Sequence, residues 1–389
     1  MKIDSRIYVA GHRGLVGSAI VRRLEAEGYS RVIKRTHEEI DLEKGEDVEA
    51  LFAEDRPEYV LLAAAVVGGI HANNTYPVDF LLRNLKIQNN VIEAAWRHGV
   101  QGLLFLGSSC IYPSLAPQPL REEYLLTGPL EPTNEPYAVA KIAGIELCEA
   151  FNRQYGTRFM SVMPTNLYGP NDNYDLESSH VLSALIRKFH LAKMASLGEF
   201  DAMELDEKCY GPIPPALYAN LDAVARAKGF VPPERPSTCG DRAPPIDARP
   251  AVTLWGTGSP RREFLHSDDL ADACAFLLGR LDDLFPESQT AGAGKGSTPP
   301  SGPSPAQSSF HLINIGCGED LTISELARTI ARIVGYDGAI EWDRSKPDGT
   351  PRKLLDVSRL RSLGWKPSIT LEEGIRMVYG EYLVRLAAR

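Results

Sequence analysis

The sequence contains no apolar run of membrane-spanning length, and residues 1–10 are too few and too polar for a secretory signal. Its six cysteines have neither the paired spacing of a zinc site nor the density of a disulfide framework. The formal net charge of −9 argues against general binding to nucleic acid or to anionic membranes. These absences predict a cytoplasmic protein with reduced thiols, no metal site, and neither nucleic acid nor a membrane as its partner.

The chain has 389 residues, of which 43% are hydrophobic, so it can bury a large core. This length predicts two lobes. Apolar strands alternate with helical segments through the first half, as in a doubly wound parallel sheet. The sequence therefore predicts an α/β fold, in which a Rossmann-type sheet domain is joined to a smaller α/β substrate-binding domain. The predicted strands are residues 6–10, 31–35, 59–65 and 101–107.

A glycine-rich turn at residues 11–17 joins the first predicted strand to an apolar helix that Gly28 is placed to end. Gly11, Gly14 and Gly17 let backbone amides approach a pyrophosphate, whose charge the helix N-terminus favours. A tight turn without ligand is the alternative. The position between strand and helix favours a dinucleotide cofactor.

Basic residues follow the second predicted strand, where an NAD-binding protein usually carries an acid that binds the ribose hydroxyl. Here the chain reads Lys34-Arg35, and Arg13 lies in the glycine turn. These cations suit a 2′-phosphate, so the sequence predicts NADP(H) as cofactor. The alternative is that Lys34 and Arg35 are simply solvated.

A helix is predicted to begin near Asn134, with Pro136 in its first turn. Tyr137 and Lys141 then share one face, because they lie four residues apart. An ammonium beside the phenol is expected to lower the pKa of Tyr137 and to make it a proton donor for a carbonyl. An exposed aromatic–lysine pair is the commoner explanation of this spacing alone.

Ser108 and Cys110 follow the fourth predicted strand, at the edge of the sheet where ligands bind. If the strand continues past Gly107, the two side chains point the same way. Ser108 would then bind a substrate oxygen, and Cys110 would remove a proton where its thiolate is stabilised. A small buried cysteine is the alternative for Cys110.

Together these features resemble the extended short-chain dehydrogenase/reductases, which combine the glycine turn, a strand-end serine and a Tyr-x-x-x-Lys helix. More narrowly, six stretches resemble the GDP-L-fucose synthase family, and the resemblance covers nearly the whole chain apart from two insertions. The stretches are residues 11–14, 68–77, 107–113, 134–137, 163–170 and 346–356.

The resemblance implies NADPH-dependent 3,5-epimerisation and then 4-keto reduction of GDP-4-dehydro-6-deoxy-D-mannose to GDP-L-fucose, by a homodimer. It implies five catalytic residues: Ser108, Cys110 as base, Tyr137, Lys141 and His180 as acid. The implied substrate-binding residues are Lys188, Trp255, Arg262 and Asp348. The implied cofactor-binding residues are Gly11, His12, Arg13, Gly14, Leu15, Val16, Gly17, Arg35, Leu106, Gly107, Lys141, Pro164, Asn166, Leu167 and His180.

The predicted domains are residues 1–165, which bind NADP, and residues 166–389, which bind substrate. Segments near 183–195 and 262–281 are expected to return to the first domain. Relative to the family, residues 196–250 and 290–309 are insertions. The first is expected to be a partly ordered surface excursion with a helix at 216–228, with a lid or an oligomer contact as alternatives, and the second a flexible loop.

Two other functions stay open. Another GDP- or UDP-sugar reductase or 4-epimerase would share the same fold and most of the same residues. A cofactor-sensing scaffold that binds a partner through the insertions would have lost catalysis, although the intact Ser108, Tyr137 and Lys141 argue against it.

Overall fold

The computed structural model describes residues 1–233, 248–286, 311–346 and 348–388, without the side chains of Ile70 and His71. The insertion predicted at 290–309 lies outside these residues. The strands are β1 Ile7–Ala10, β2 Val32–Ile33, β3 Tyr59–Leu62, β4 Gly102–Leu106, β5 Phe159–Pro164, β6 Asn166–Tyr168, β7 Ala251–Trp255, β8 Arg261–Arg262, β9 Phe264–His266, β10 Leu312–Ile315, β11 Leu321–Thr322, β12 Ala339–Asp343 and β13 Arg352–Lys353.

Helices connect most of these strands, and none in the described part of the chain is both long and apolar enough to span a bilayer. The α-helices are α1 Leu15–Ala26, α2 Gly45–Asp55, α3 Ile70–Thr75, α4 Pro77–Arg97, α5 Glu135–Tyr155, α6 Val181–Leu197, α7 Phe200–Tyr210, α8 Pro215–Ala227, α9 Ser267–Gly279, α10 Leu281–Leu284, α11 Ile323–Val334, α12 Ser358–Ser362 and α13 Leu371–Ala387.

The chain divides into two compact units, each built from several segments. Unit 1 comprises Met1–Asn171, Glu263–Glu319 and Lys353–Ile369, and unit 2 comprises Asp172–Arg262, Asp320–Arg352 and Thr370–Arg389. Unit 1 contains a six-stranded sheet in the order β2-β1-β3-β4-β5-β10, and each neighbouring pair is parallel. The predicted α/β fold with a Rossmann-type parallel sheet is therefore confirmed.

Both faces of this sheet are covered, because successive side chains of a strand point to opposite sides. In β1, Ile7 and Val9 join the core formed with α1 and α9. Tyr8 and Ala10 join the core on the other face, formed with α2, α4 and α5. All four side chains are fully buried, so β1 is fixed at the centre of unit 1 and holds the turn that follows it.

Part of the predicted first insertion forms two helices of unit 2. The expected helix at 216–228 is present as α8, and α7 precedes it without having been predicted. Both helices pack on α6, and α8 also packs on β7. Their side chains Met203, Leu221 and Val224 are buried, so these helices contribute to the core of unit 2.

The division of the chain differs from the predicted one at residues 183–195, which lie in α6. These residues belong to unit 2 and do not return to the sheet domain. The physical reason is that α6 is buried among α7, α8, α11 and β7. The segment Glu263–Glu319 does lie in unit 1, where α9 packs against α1.

Candidate active site

The glycine turn after β1 is a tight backbone cradle. Gly11 has a left-handed φ of +81°, and its carbonyl oxygen accepts a hydrogen bond from the Gly14 N–H at 3.0 Å. A β-carbon on Gly17 would lie 2.1 Å from that same oxygen. Gly14 caps α1 without a side-chain hydrogen bond, and the first turn of α1 has no acidic residue. The helix N-terminus therefore suits a phosphate.

Replacing Gly17 with alanine is expected to destabilise unit 1 by about 1–3 kcal/mol and to weaken NADPH binding, because the clash is with backbone atoms that have no room to move. Thermal unfolding and a cofactor titration measure both effects. Gly279→Ala is the matched control, since no atom of the described residues lies within 4 Å of its added carbon, and it should be neutral or slightly stabilising. Wild-type stability and NADPH affinity in Gly17→Ala would contradict this account.

Two arginine side chains lie near the turn, where the sequence predicts a site for a 2′-phosphate. Arg35 donates to Asp55 at 2.7 Å, and Arg13 lies 3.7 Å from Glu38. Hydrogen bonds from Thr36 are the main cause that lowers the pKa of the Glu39 carboxyl, and Arg35 and Arg13 both add to this effect. Both guanidinium groups therefore lie near one carboxyl, at the end of the second strand.

His12 lies in the same turn, and its Nδ1 is a buried atom that has no hydrogen-bond partner among the residues that the structure describes. Burial lowers the pKa of this imidazole, and the charges of Arg13 and Lys34 lower it further. The ring is therefore neutral at cellular pH, with a nitrogen that is free to bind a ligand.

Ser108 and Cys110 are adjacent, although not in the predicted way. The strand β4 ends at Leu106, and Ser109–Ile111 forms a short 3-10 helix. The strand therefore does not continue past Gly107, which is the condition for the two side chains to point the same way. The turn brings the Cys110 N–H to within 3.4 Å of the Ser108 hydroxyl oxygen, which accepts it. Burial raises the pKa of the Cys110 thiol, while Lys353, Ser108 and Lys141 act to lower it.

Tyr137 and Lys141 lie on α5, which begins at Glu135 with Asn134 as its N-cap residue. The ring of Tyr137 packs edge-on against Phe80, with centroids 6.3 Å apart. Burial raises the pKa of Tyr137, the charge of Cys110 adds to this rise, and a hydrogen bond with Ser108 opposes it. The pKa of this phenol is therefore raised, and the expectation that Lys141 lowers it is wrong.

Lys141 is nearly completely buried, and its Nζ donates to the carbonyl oxygen of Leu106 at 2.8 Å. The same Nζ lies 5.8 Å from the centre of the Tyr137 ring. Burial lowers the pKa of Lys141 to about 8, and Cys110 opposes this shift. Unit 1 thus brings Ser108, Cys110, Tyr137 and Lys141 together at the end of β4.

The remaining predicted cofactor residues of unit 1 lie at the ends of neighbouring strands. The Gly107 N–H donates to the carbonyl of Val162, and β5 ends at Pro164. Asn166 donates through Nδ2 to the carbonyl oxygen of Glu263 at 2.8 Å, and Leu167 pairs with Leu265. These residues therefore lie at the carboxyl edge of the parallel sheet, where ligands of such folds bind.

The other predicted site residues lie in unit 2. His180 is exposed and is the N-cap residue of α6, and Lys188 lies half-buried two turns later, where burial lowers its pKa. Asp348 accepts from the Thr257 N–H at 2.6 Å, in a position that a β-carbon on Gly256 would obstruct. Burial lowers the pKa of Arg262, and Asp348 opposes this shift.

Trp255 ends β7 with 64% of its surface exposed, and the Nζ of Lys346 lies 5.4 Å from its ring centre. A core role for this indole is therefore excluded. The exposed ring, Arg262 and Asp348 make one end of unit 2 suitable for a ligand that has both a planar ring and negative charge.

A comparison with known families matches residues 7–204 and 243–288 to the NAD dependent epimerase/dehydratase family. The chain belongs to this family. Within the family, GDP-L-fucose synthase 1 of Arabidopsis thaliana is 47% identical over 99% of this chain and 95% of its own length. The GDP-L-fucose synthase of Escherichia coli K12 is 45% identical over 97% of this chain and 96% of its own.

Among solved structures of the family, the GDP-mannoheptose C4 reductase MlghC of Campylobacter jejuni, with NADP bound, superposes with a TM-score of 0.75. It is 35% identical and covers 98% of this chain and 99% of its own. The family membership predicted from the motifs is confirmed, and the solved relatives include a reductase of a different GDP-sugar.

Two residues that the sequence did not suggest bear on this epimerase/dehydratase site. Lys353 acts on the Cys110 thiol more strongly than either other group that lowers its pKa. Asp172 is buried, and His180 acts to lower the pKa of its carboxyl, which burial raises. Lys353 lies within the stretch 346–356 that resembles the family, but nothing in the sequence places it near residue 110. Only the folded chain reveals these neighbours.

Proposed function

We propose that this protein converts GDP-4-dehydro-6-deoxy-D-mannose to GDP-L-fucose, by 3,5-epimerisation followed by NADPH-dependent reduction of the 4-keto group. The observation that carries the proposal is the position of Cys110. A plain reductase needs only the Ser108, Tyr137 and Lys141 set, whereas epimerisation also needs a base, and the thiol lies directly beside that set. The names of the two GDP-L-fucose synthases at 45–47% identity support the same reaction.

NADP(H) fits the residues of unit 1. The close approach of Gly17 to Gly11 suits a pyrophosphate at the N-terminus of α1, and Arg13 and Arg35 suit the 2′-phosphate. The Nδ1 of His12 has no hydrogen-bond partner in the described part of the chain, so it can bind the cofactor. Lys141 holds the nicotinamide ribose. When bound, NADPH supplies the hydride that reduces the C4 carbonyl.

In the reduction, Ser108 donates a hydrogen bond to the C4 oxygen and polarises the carbonyl. Tyr137 gives its proton to that oxygen as the alcohol forms. Lys141, a cation below its pKa of about 8, stabilises the phenolate that remains once substrate lies against the two groups. The raised pKa of Tyr137 keeps its proton in place until this step.

In the epimerisation, the 4-keto group acidifies the C–H bonds at C3 and C5. The Cys110 thiolate takes a proton from one of these carbons, and protonated His180 gives a proton to the same carbon, which inverts it. Before the second carbon reacts, the thiol releases its proton to water and His180 takes up another. The two cations Lys353 and Lys141 oppose the burial that raises the pKa of the thiol, so they favour the thiolate. His180 is exposed in unit 2, where its ring can exchange protons with water.

The GDP moiety binds unit 2. Lys188 and Arg262 neutralise its diphosphate, Trp255 offers an exposed face for stacking, and Asp348 accepts hydrogen bonds from the ligand. Burial lowers the pKa of both cations, so binding an anion restores a partner to groups that are costly to bury.

A second candidate is a GDP-sugar C4 reductase without epimerase activity. The structural match to a GDP-mannoheptose C4 reductase favours it, because that enzyme's described reaction needs only the reductive half of the site. A GDP-heptose would then be the substrate, and Cys110 would be idle.

One assay distinguishes these functions. The protein is incubated with NADPH in deuterated water, with either GDP-4-dehydro-6-deoxy-D-mannose or a GDP-4-keto-heptose, and the product is analysed by NMR. The expected result is GDP-L-fucose carrying deuterium at C3 and C5, with one NADPH consumed per sugar. Reduction without deuterium identifies the C4 reductase, turnover without net NADPH loss a 4-epimerase, and cofactor binding without turnover a scaffold.

A cytoplasmic homodimer completes the proposal. The helices α4 and α5 pack against each other and carry exposed apolar side chains, including Val78, Leu82 and Val139. Covering these side chains with the same helices of a second copy would bury them in a symmetric four-helix contact. Cys110, Cys148, Cys209, Cys274 and Cys317 are free thiols, as suits a reducing compartment.

A further inference from the structure

A stripe of buried polar side chains runs along one face of α6. Ser183, Arg187 and His190 follow one another at spacings of four and three residues, so they share that face. The side chains of Ser183 and Arg187 are fully buried, and His190 is 3% exposed. Buried polar groups of this kind are held by specific partners, and a helix fixed at three points on one face has a fixed rotation about its axis.

Arg187 is the centre of the stripe. Its Nε donates to Asp206 of α7 at 2.7 Å, and its Nη1 donates to the carbonyl oxygens of Tyr174 and Tyr210 at 3.1 and 2.8 Å. Its Nη2 donates to the carbonyl oxygen of Gly211. Two of these carbonyls lie at the C-terminus of α7, where a cation is favoured by the helix dipole. The charge of Arg187 is therefore fully engaged within unit 2.

The carboxylate of Asp206 also binds a residue of a third helix, α13. The hydroxyl of Tyr382 on α13 donates to Asp206, and the Tyr382 ring stacks on Tyr210 of α7 with centroids 4.8 Å apart and planes at 8°. His190 shares a hydrogen bond of 3.1 Å with the hydroxyl of Tyr379, also on α13. The network thus ties α6 to α7 and α13.

Ser183, at the N-terminal end of the stripe, lies beside His180, the predicted proton donor. Ser183 donates to the buried carboxylate of Asp172 at 3.0 Å and lies 3.3 Å from the carbonyl oxygen of His180. Asp172 and Tyr174 both belong to the segment that leads to His180, and Tyr174 is held by Arg187. Both ends of this segment are therefore anchored to α6.

We propose that Ser183, Arg187 and Asp206 are positioning residues, which fix the rotation of α6 and so aim His180 and Lys188 at the substrate. The inference rests on the proposed function for the roles of those two residues. Lys188 follows Arg187 directly, so a helix locked through Arg187 has the direction of Lys188 set about 100° around its axis. The helix α7 therefore contributes to substrate binding indirectly, because its Asp206 holds α6 in place.

Asp206→Asn in the full-length protein tests the proposal, because it keeps the shape of the side chain and removes its charge. Amide hydrogen exchange of residues 181–197 should become faster. The KM for GDP-4-dehydro-6-deoxy-D-mannose should rise by about tenfold or more, and kcat for deuterium incorporation should fall, since displacement of about 1 Å is enough for such losses. NADPH affinity should stay within about twofold, because the glycine turn lies in unit 1.

Glu204→Gln is the matched control, since Glu204 lies on the same helix and forms an exposed ion pair with Lys208. It should leave exchange and KM unchanged. If Asp206→Asn lowers the melting temperature while exchange of α6 and sugar KM stay at wild-type values, the residue is structural only and the proposal is overturned.

The exchange measurement needs no turnover, so it separates this inference from the proposed function. A wild-type protein without activity, in which Asp206→Asn still loosens α6, would remove the function and leave the locking of α6 intact. Should Asp206→Asn fail to fold, Ser183→Ala decides. It removes one hydroxyl, and unchanged deuterium incorporation at C3 and C5 would then overturn the proposal.

Discussion

Tyr137→Phe is expected to lower kcat for NADPH oxidation by about a thousandfold, within the range that a general acid contributes. The substitution removes only the hydroxyl that protonates the C4 oxygen. The ring that packs against Phe80 remains, so the fold of unit 1 should persist. Steady-state kinetics with saturating NADPH measures the effect, and a cofactor titration should give the wild-type affinity.

Tyr59→Phe is the control for this prediction. Its hydroxyl donates to Gln101 at 3.1 Å. Tyr59 begins β3 and Gln101 directly precedes β4, so both lie at the edge of the sheet opposite the site. Its removal should leave kcat unchanged. A Tyr137→Phe enzyme that retains activity to within about tenfold would mean that another group donates the proton.

Cys110→Ser is expected to separate the two halves of the reaction. Serine has nearly the same shape, but its hydroxyl ionises far less readily than a thiol, so it is a poor base. Deuterium incorporation at C3 and C5 should fall by about a hundredfold or more, whereas reduction of a 4-keto sugar should fall by less than about tenfold. NMR of the product and NADPH consumption measure the two halves independently.

Cys148→Ser provides the matched control, because Cys148 is a buried thiol on α5 of the same unit. The Cys148→Ser variant should be somewhat less stable than the wild type, and its ratio of epimerisation to reduction should be unchanged. Equal losses of epimerisation and reduction in Cys110→Ser would show that the thiol supports the shape of the site and is not its base.

The sequence predicts those parts of the site that depend on short stretches of chain. The turn at Gly11–Gly17 is recognisable because a strand, three glycines and a helix follow one another directly. The pair Tyr137 and Lys141 is recognisable because one helix sets its spacing. The central sheet follows from the alternation of apolar strands and helices, which is also a local signal.

What the sequence misses depends on distant contacts. The pairing of Arg187 with Asp206 joins two helices, and no pattern in the sequence predicts which carboxylate an arginine will bind. The phenol of Tyr137 has a raised pKa because burial outweighs the hydrogen bond with Ser108, and burial is a property of the whole fold. The 3-10 turn at Ser109–Ile111 breaks the expected strand, because the Ser108 hydroxyl accepts the Cys110 N–H in place of a ladder bond.

The order of strands has a consequence for synthesis on the ribosome. The outer strand β10 pairs with β5, although about 150 residues of chain are made between them. Until residue 315 has left the exit tunnel, β5 is an unpaired edge strand, and such edges can pair with strands of other chains and cause aggregation. Nascent chains that stop before Leu312 should therefore be the form of this protein that most needs chaperones.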